Sequence, residues 1–214
     1  MKEIILCFSY IILIILLGTY FLKNELGRKF IHIMLCNIWF IFMILFSHSS
    51  VIPFAISSFF IVLNIFFYKH DFIPALKNSN RGYGTIYYAI SLAIISFISY
   101  NIFGDPSIGT LGILCMGYGD GFAALTPKLF SKKTYIYNNK TVVGSATMFF
   151  ISLICSIIVF HFSSNSFFLT NGKIIIIKSI IIASISMLIE LFSKNGSDNI
   201  FVPLITTIIY IFFK

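Results

Sequence analysis

Eight long apolar segments limit how this chain can fold. They occupy residues 4–22, 30–46, 51–68, 84–103, 107–126, 145–162, 174–191 and 199–213. A bilayer core requires about 20 apolar residues per helix, and only helices or closed barrels satisfy their backbone hydrogen bonds there. Because 58% of the residues are hydrophobic and only 10% are charged, a soluble globular domain is excluded. The sequence predicts an all-α polytopic transmembrane bundle, formed by residues 1–214 as a single domain.

The number of spans depends on the two terminal segments. Residues 4–22 are not followed by a small-residue cleavage site, which predicts a retained first span rather than a signal peptide. Residues 199–213 would cover only about 22 Å at 1.5 Å per residue, less than the ~30 Å thickness of a bilayer core. We therefore expect seven or eight spans.

Positive charges predict the orientation of the bundle. Of the 15 Lys and Arg residues, eleven fall in the odd-numbered loops between the apolar segments and four fall elsewhere. The positive-inside rule then places the odd-numbered loops in the cytoplasm and both termini outside. These short loops account for the net charge of +8, so no nucleic-acid partner is expected. The four cysteines lie singly in apolar segments, without the spacing of a metal site or a disulfide framework.

Asp120 is a carboxylate inside the segment 107–126, in the sequence Gly117-Tyr-Gly119-Asp120-Gly121. A charge at that depth is costly, and such residues usually face a bundle interior or a water-filled site. The glycines allow close approach by another helix or by a ligand, and carboxylate oxygens suit a hard cation such as Mg²⁺. The glycines alone are also typical of helix packing, but packing does not explain the acid.

Other polar residues gather at the same predicted membrane face. Glu25, Arg28, Lys29 and His32 fall at i, i+3, i+4 and i+7, so in one helix they share a face. That face suits an anionic substrate, although a positive-inside anchor with a local Glu25–Lys29 pair explains most of it. The segment 81–85, which begins with Arg81, opens the fourth span with glycines and a hydroxyl, a pattern that suits either a phosphate or an ordinary turn and cap.

Two further elements lie in or beside the cytoplasmic loops. Lys140, Thr141, Gly144 and Ser145 lead into the sixth span and suit phosphate oxygens or a helix cap. They do not form a Walker motif, because the upstream glycine element is absent. Near the C-terminus, Glu190 lies at the end of an apolar helix and is followed by Asp198, Asn199 and Pro203; Ser197 or Asp198 could simply cap the last helix.

Taken in order, these elements resemble one family. Matching residues are Arg28-Lys29-x-x-His32, Gly119-Asp120-Gly121-x-Ala-Ala, Lys140-Thr141-x-x-Gly144-Ser145, and Glu190 followed by Asp198-Asn199 and Pro203. The chain is similar to the integral-membrane, CTP-dependent lipid kinases, which include phytol kinase, dolichol kinase and the CTP-dependent diacylglycerol kinase. Val143 stands where the dolichol kinase branch has an acidic residue, so the resemblance is greater to the phytol kinase-like branch.

The resemblance implies a catalytic arrangement. It implies transfer of the γ-phosphate of a nucleotide, CTP, to the hydroxyl of a lipid alcohol such as phytol, a polyprenol or diacylglycerol. Asp120 and Asp198 would hold Mg²⁺, with Glu190 as a third ligand, and the base that takes the hydroxyl proton stays open among these three acids. The residues expected to bind substrate are Arg28, Lys29, His32, Arg81, Gly119, Gly121, Lys140, Thr141, Gly144, Ser145 and Asn199.

The resemblance and the charge pattern also imply where the reaction occurs. The nucleotide would arrive from the cytoplasm, and the alcohol would enter sideways from the bilayer. We expect an integral protein of a prokaryotic plasma membrane with its active site on the cytoplasmic side.

Three other functions fit parts of the sequence. A membrane cytidylyltransferase would also use CTP, Mg²⁺ and buried acids, but it would release pyrophosphate. An intramembrane aspartyl protease fits the G-x-G-D pattern but needs a second carboxylate close enough to share a proton, and Asp105 is about 22 Å away along the same helix. A transporter or channel would distribute polar groups near the midplane or through both halves.

Overall fold

The computed structural model describes residues 1–20, 24–48, 50–70, 83–130, 134–138, 140–163 and 168–214. Its α-helices are α1 Lys2–Tyr20, α2 Asn24–Leu35, α3 Ile38–Leu45, α4 Ile52–His70, α5 Gly84–Ser96, α6 Ser107–Leu114, α7 Gly121–Leu125, α8 Val142–Ser163, α9 Phe168–Phe192 and α10 Asp198–Phe213. A turn of π-helix, Phe97–Ile102, extends α5, and a second one, Cys115–Asp120, joins α6 to α7. A 3₁₀ turn, Thr126–Leu129, follows α7. The strands β1 Tyr135–Tyr137 and β2 Lys140–Thr141 form a small antiparallel pair.

Within these described residues, seven helical segments are long and apolar enough to cross a membrane. They are Lys2–Tyr20, Leu26–Leu45, Ile52–His70, Gly84–Ile102, Ser107–Leu129, Val142–Ser163 and Gly172–Phe192. The shorter α10, with 16 residues, follows as an apolar helix. The prediction of an all-α polytopic membrane bundle is therefore confirmed.

The second span is broken where the sequence predicted a continuous helix. Residues 36 and 37 form a turn between α2 and α3. The side chain of Asn37 accepts a hydrogen bond from the hydroxyl of Tyr118 at 2.6 Å, so the break ties the second span to the π-helical turn that ends at Asp120.

The segment Ser107–Leu129 lies at the centre of the bundle. In this span 78% of the residues in the apolar stretch are buried, compared with 17% in α4 and 22% in α1. Its packing depends on small residues: a Cβ atom at Gly112 would lie 2.4 Å from the Pro203 carbonyl oxygen of α10. On the other side, Trp39 of α3 donates a hydrogen bond to Thr110 at 3.0 Å. Asp120 is therefore carried by the most enclosed helix, while α1 and α4 face the lipid.

The ends of the helices opposite to Asp120 are joined by other polar contacts. The Lys178 ammonium donates to the Phe213 carbonyl at the end of α10, and Lys214 pairs with Asp105 just before α6. Lys178 is twelve residues from Glu190 in α9, or about 18 Å along the helix axis. These contacts stabilise the end of the bundle that is remote from Asp120.

Candidate active site

Three carboxylates from distant parts of the chain meet at one end of the bundle. Asp120 ends the second π-helical turn, Glu190 lies in the last turn of α9, and Asp198 begins α10. One oxygen from each lies within 4.8 Å of the other two. All three side chains are buried. The structure therefore brings together the acids that the sequence singled out, although their chemical roles stay predictions.

Two lysines bind these carboxylates. Lys29, which is only 1% exposed, donates to Asp120 Oδ2 at 2.6 Å and to the Asp120 carbonyl oxygen at 3.3 Å. Lys140 contacts Glu190 Oε1 and lies 3.1 Å from Asp198 Oδ2. With all five groups ionised, three carboxylates and two ammonium groups sum to a charge of −1, and this near balance limits the cost of burying them.

The charge of Lys140 is maintained by its neighbours. Lys140 lies in β2, outside the spans. Burial alone would lower the pKa of its ammonium, but the carboxylates of Asp198, Glu190 and Asp120 outweigh burial and raise the pKa above its ordinary value. Lys140 is consequently a cation at neutral pH.

His32 lies between Asp120 and Tyr88. Its Nε2 atom lies 3.4 Å from Asp120 Oδ2 and 3.1 Å from the Met116 carbonyl oxygen. A carbonyl only accepts, so Nε2 carries the proton in this contact, and in the neutral ring Nδ1 is then the acceptor. The ring packs edge-on against Tyr88, with centroids 4.9 Å apart.

The three acids fit a divalent cation. Oxygens around an octahedral Mg²⁺ are about 3.0 to 4.2 Å apart, given the ~2.1 Å metal–oxygen distance. One oxygen from each carboxylate lies within 4.8 Å of the other two, so the three acids can converge on one ion. Glu190 Oε2 is buried and has no hydrogen-bond partner among the described residues. Lys140 already contacts two of the three acids, so a cation held here would compete with its ammonium.

The lysine element forms the helix cap that was one of the two interpretations of its sequence. Thr141 Oγ1 accepts a hydrogen bond from the Gly144 N–H at 3.1 Å, so the hydroxyl caps the start of α8. The hydroxyl of Thr141 and the N–H of Gly144 thus bond to each other, and phosphate binding by this element stays a prediction. The next hydroxyl, that of Ser145, is buried and has no partner in the described part of the chain. Pairing of β2 with β1 holds Lys140 over the acids.

Gly119 and Gly121, which the resemblance predicts to bind substrate, lie in close contacts between helices. A Cβ atom at Gly119 would lie 2.8 Å from the sulfur of Met148, and one at Gly121 would lie 2.2 Å from Cγ1 of Ile33. A side chain at Gly121 would thus force α2 away from α7. The close approach that these glycines allow is approach by helices α8 and α2.

Three of the residues expected to bind substrate remain, namely Asn199, Arg28 and Arg81. Asn199 donates its backbone N–H to Asp198 Oδ1 and its side-chain amide to the Gly84 carbonyl, both at 3.1 Å, and thereby ties α10 to the start of α5. Arg28 lines an apolar cavity beside the site. Arg81 lies outside the described residues.

This apolar cavity, of about 410 Å³, adjoins the carboxylates. Its walls come from α1, α2, α4 and α5, and its polar end includes Arg28, His32 and Asn199. Sequence reasoning did not identify this cavity. The parts of its walls that α1 and α4 supply are mostly Phe, Leu and Ile residues, and these look identical in sequence to residues that face lipid.

Two curated proteins similar to this chain are phytol kinases. An alignment of 140 residues, covering 64% of this chain and 58% of the relative, is 31% identical to the phytol kinase of Synechocystis sp. (strain ATCC 27184 / PCC 6803 / Kazusa). A second alignment, of 203 residues, covers 87% of this chain and 67% of a probable chloroplastic phytol kinase of Triticum aestivum, with 26% identity. The chain thus spans less than two thirds of the length of the first relative. No family model matches it, and no solved structure matches it significantly. The resemblance to the phytol kinase-like lipid kinases is confirmed by these relatives.

Proposed function

We propose that this relative of the phytol kinases is a membrane-embedded kinase that transfers the γ-phosphate of a nucleotide to the hydroxyl of a lipid alcohol. One observation carries the proposal: three buried carboxylates and two lysines meet beside an apolar cavity within a helix bundle. Charged groups that can hold phosphates thus lie next to a space that can hold a hydrocarbon chain.

The protein contributes little covalent chemistry to this reaction. The alcohol oxygen attacks the γ-phosphorus, and a new O–P bond forms. The bond from that phosphorus to the oxygen bridging the β-phosphate breaks, and the nucleoside diphosphate leaves with the electron pair. Catalysis of such a transfer consists mainly of positioning and of stabilising negative charge on the phosphoryl oxygens.

The positive side chains supply that stabilisation. Lys29 and Lys140 are close to the acids, and Arg28 lies at the polar end of the cavity. Mg²⁺ held by Asp120, Glu190 and Asp198 would neutralise further phosphate charge. We propose CTP as the donor because the motifs resemble those of CTP-dependent kinases.

The acceptor's proton must reach a base. Asp120, Asp198 and Glu190 each already contact a lysine, whereas His32 lines the cavity and is close to Asp120. We therefore add His32 to the three acids as a base, with its Nδ1 as the accepting atom and Asp120 orienting the ring.

The protein is integral to the membrane, and we propose that its site opens on the cytoplasmic side of a prokaryotic plasma membrane. The positive-inside rule supports this orientation, because the loops near the site carry most of the Lys and Arg residues. A cyanobacterial relative supports a prokaryotic setting.

The charges argue against an aspartyl protease. An oxygen of Asp120 lies within 4.8 Å of one of Asp198, but a protease requires the two carboxylates to share one proton. Here each carboxylate contacts a different lysine ammonium, an arrangement that does not resemble a pair of acids around one proton.

Labelled nucleotide tests the proposal. Purified protein in detergent is incubated with Mg²⁺, CTP labelled at the α- or γ-phosphate, and phytol, geranylgeraniol, a polyprenol or diacylglycerol. Transfer of the γ label alone to a lipid, lost on chelation of Mg²⁺ and in Asp198→Asn, is the expected result. Transfer of the α label would indicate a cytidylyltransferase, and absence of transfer to any alcohol with any nucleoside triphosphate would refute the kinase.

A further inference from the structure

The apolar cavity is a groove that extends away from the carboxylates. Its lining runs along residues 8–15 of α1, 59–67 of α4 and 84–92 of α5. At 1.5 Å per residue, each stretch is about 11 to 12 Å long. The groove is therefore long enough to follow a hydrocarbon chain, and not only to surround a head group.

The two ends of the groove differ in chemistry. Arg28, His32 and Asn199 lie at the end beside the acids. At the other end the ring of Phe8 packs against Phe59 and Phe60, with centroids 5.6 and 5.8 Å apart. The groove thus begins at groups that can bind a hydroxyl and ends at an aromatic cluster, Phe8–Phe59–Phe60, which joins α1 to α4.

The side of the groove opens toward the membrane. Ile12 of α1 and Phe59 of α4 both line it and are 56% and 47% exposed. These two helices are the least buried of the described spans, so acyl chains of the bilayer would surround them. A lipid can therefore enter between α1 and α4 without leaving the hydrocarbon region.

We propose that this groove binds the single hydrocarbon chain of the acceptor alcohol, and that the aromatic cluster sets the longest chain it accepts. The proposal rests on the proposed kinase function, because that function supplies the hydroxyl at the His32 end. The volume of about 410 Å³ is near the lower end of the ~300–1,000 Å³ range of ligand pockets, which suits one chain better than two.

Chain-length profiles test the aromatic cluster. The ratio kcat/KM is measured for prenols of increasing length with one donor, in the native protein and in Phe60→Ala. Removing the ring should raise kcat/KM for chains longer than the native optimum by roughly tenfold or more relative to the optimum chain, the discrimination that small size differences in an apolar pocket give. Phe149→Ala, which also truncates a half-buried phenylalanine but lies on α8 outside the groove, should leave the profile unchanged.

Photolabelling gives a readout that does not require turnover. A farnesol analogue with a diazirine in its tail is crosslinked to native protein and to the Asp198→Asn variant, in which phosphate transfer is expected to be lost. The labelled residues are mapped by mass spectrometry. Labels on the groove faces of α1, α4 and α5, reduced by excess unlabelled farnesol, would support the proposal. Labels outside the groove would overturn the proposal. Groove labels that unlabelled farnesol does not reduce would also overturn it and would indicate a site for ordinary bilayer lipid.

The two experiments separate the groove from the kinase. Phosphate transfer with an unchanged length profile in Phe60→Ala would overturn the groove proposal and leave the kinase standing. Competed labelling of the groove without phosphate transfer would support a lipid-alcohol site and refute the kinase.

Discussion

The ion pair between Lys29 and Asp120 predicts a measurable energy of coupling. The ammonium nitrogen and Oδ2 are 2.6 Å apart, and the two side chains are 1% and 5% exposed. At an effective dielectric constant of ~20, opposite charges at this distance attract by about 6 kcal/mol, but burial of both ions offsets much of that energy. Removing one partner of such a pair typically costs ~3–5 kcal/mol, because the other charge stays buried without compensation.

A double-mutant cycle measures this coupling. Lys29→Met, Asp120→Asn and the double variant are unfolded reversibly with sodium dodecyl sulfate in mixed micelles. Each single change should lower the free energy of unfolding by about 3–5 kcal/mol; Lys29→Met should be at the low end, because His32 still lies near Asp120. The double variant should lose clearly less than the sum, since neither charge of the Lys29–Asp120 pair then stays behind without the other.

A partly exposed ion pair provides the control. Lys214 and Asp105 are about a third exposed, so Asp105→Asn should change the unfolding free energy by only ~0–1 kcal/mol. If the losses in the Lys29 and Asp120 variants add to within ~0.5 kcal/mol, the two charges are not coupled, and Lys29 does not compensate the buried charge of Asp120.

Three further changes have defined outcomes. The pKa of Lys140 is raised in the folded protein. Its contribution to stability is therefore complete below the unfolded pKa of about 10.4 and is lost only as pH rises through the higher folded pKa. The difference in melting temperature between native protein and Lys140→Met should stay constant from about pH 7 to pH 10. His32→Gln should lower kcat roughly 10²–10⁴-fold with little change in the KM of the alcohol, as expected for loss of a base, and steady-state kinetics would show a KM effect instead if His32 only binds the alcohol. Gly121→Ala should destabilise the protein by ~1–3 kcal/mol through its clash with Ile33, as denaturant unfolding can show, whereas a neutral result would mean that α2 shifts freely.

The parts of the site that were predictable from sequence are those that conflict with a lipid environment. Asp120 and Glu190 are acids in apolar helices, and the cost of burying such groups predicts that they share an enclosed polar site. Their partners were not predictable. Lys29 is 91 residues from Asp120, and the i, i+4 spacing pointed equally to a local pair with Glu25.

Other features depend on geometry that sequence patterns do not contain. A threonine before a helix is expected both in a cap and in a phosphate site, and only the 3.1 Å contact between Thr141 and Gly144 identifies the cap. The turn at residues 36 and 37 contains neither glycine nor proline, the usual signals of a break. The groove could not be found for a similar reason, since Phe8 and Phe60 are apolar residues like many others in α1 and α4.

The two sides of the carboxylate cluster should bind different substrates. Lys140 reaches the acids from β2, outside the spans, and all three residues of the partner strand β1 are exposed, so Lys140 approaches from the aqueous side. Thr85 lines the groove on the lipid side. Lys140→Gln should therefore raise the KM of the nucleotide at least roughly tenfold, the loss expected for a contact to a charged group, and leave the KM of the alcohol nearly unchanged. Thr85→Val, which keeps the shape of the side chain, should do the reverse. If both variants raised the same KM, nucleotide and alcohol would not approach from opposite sides, and the acids would not lie between them.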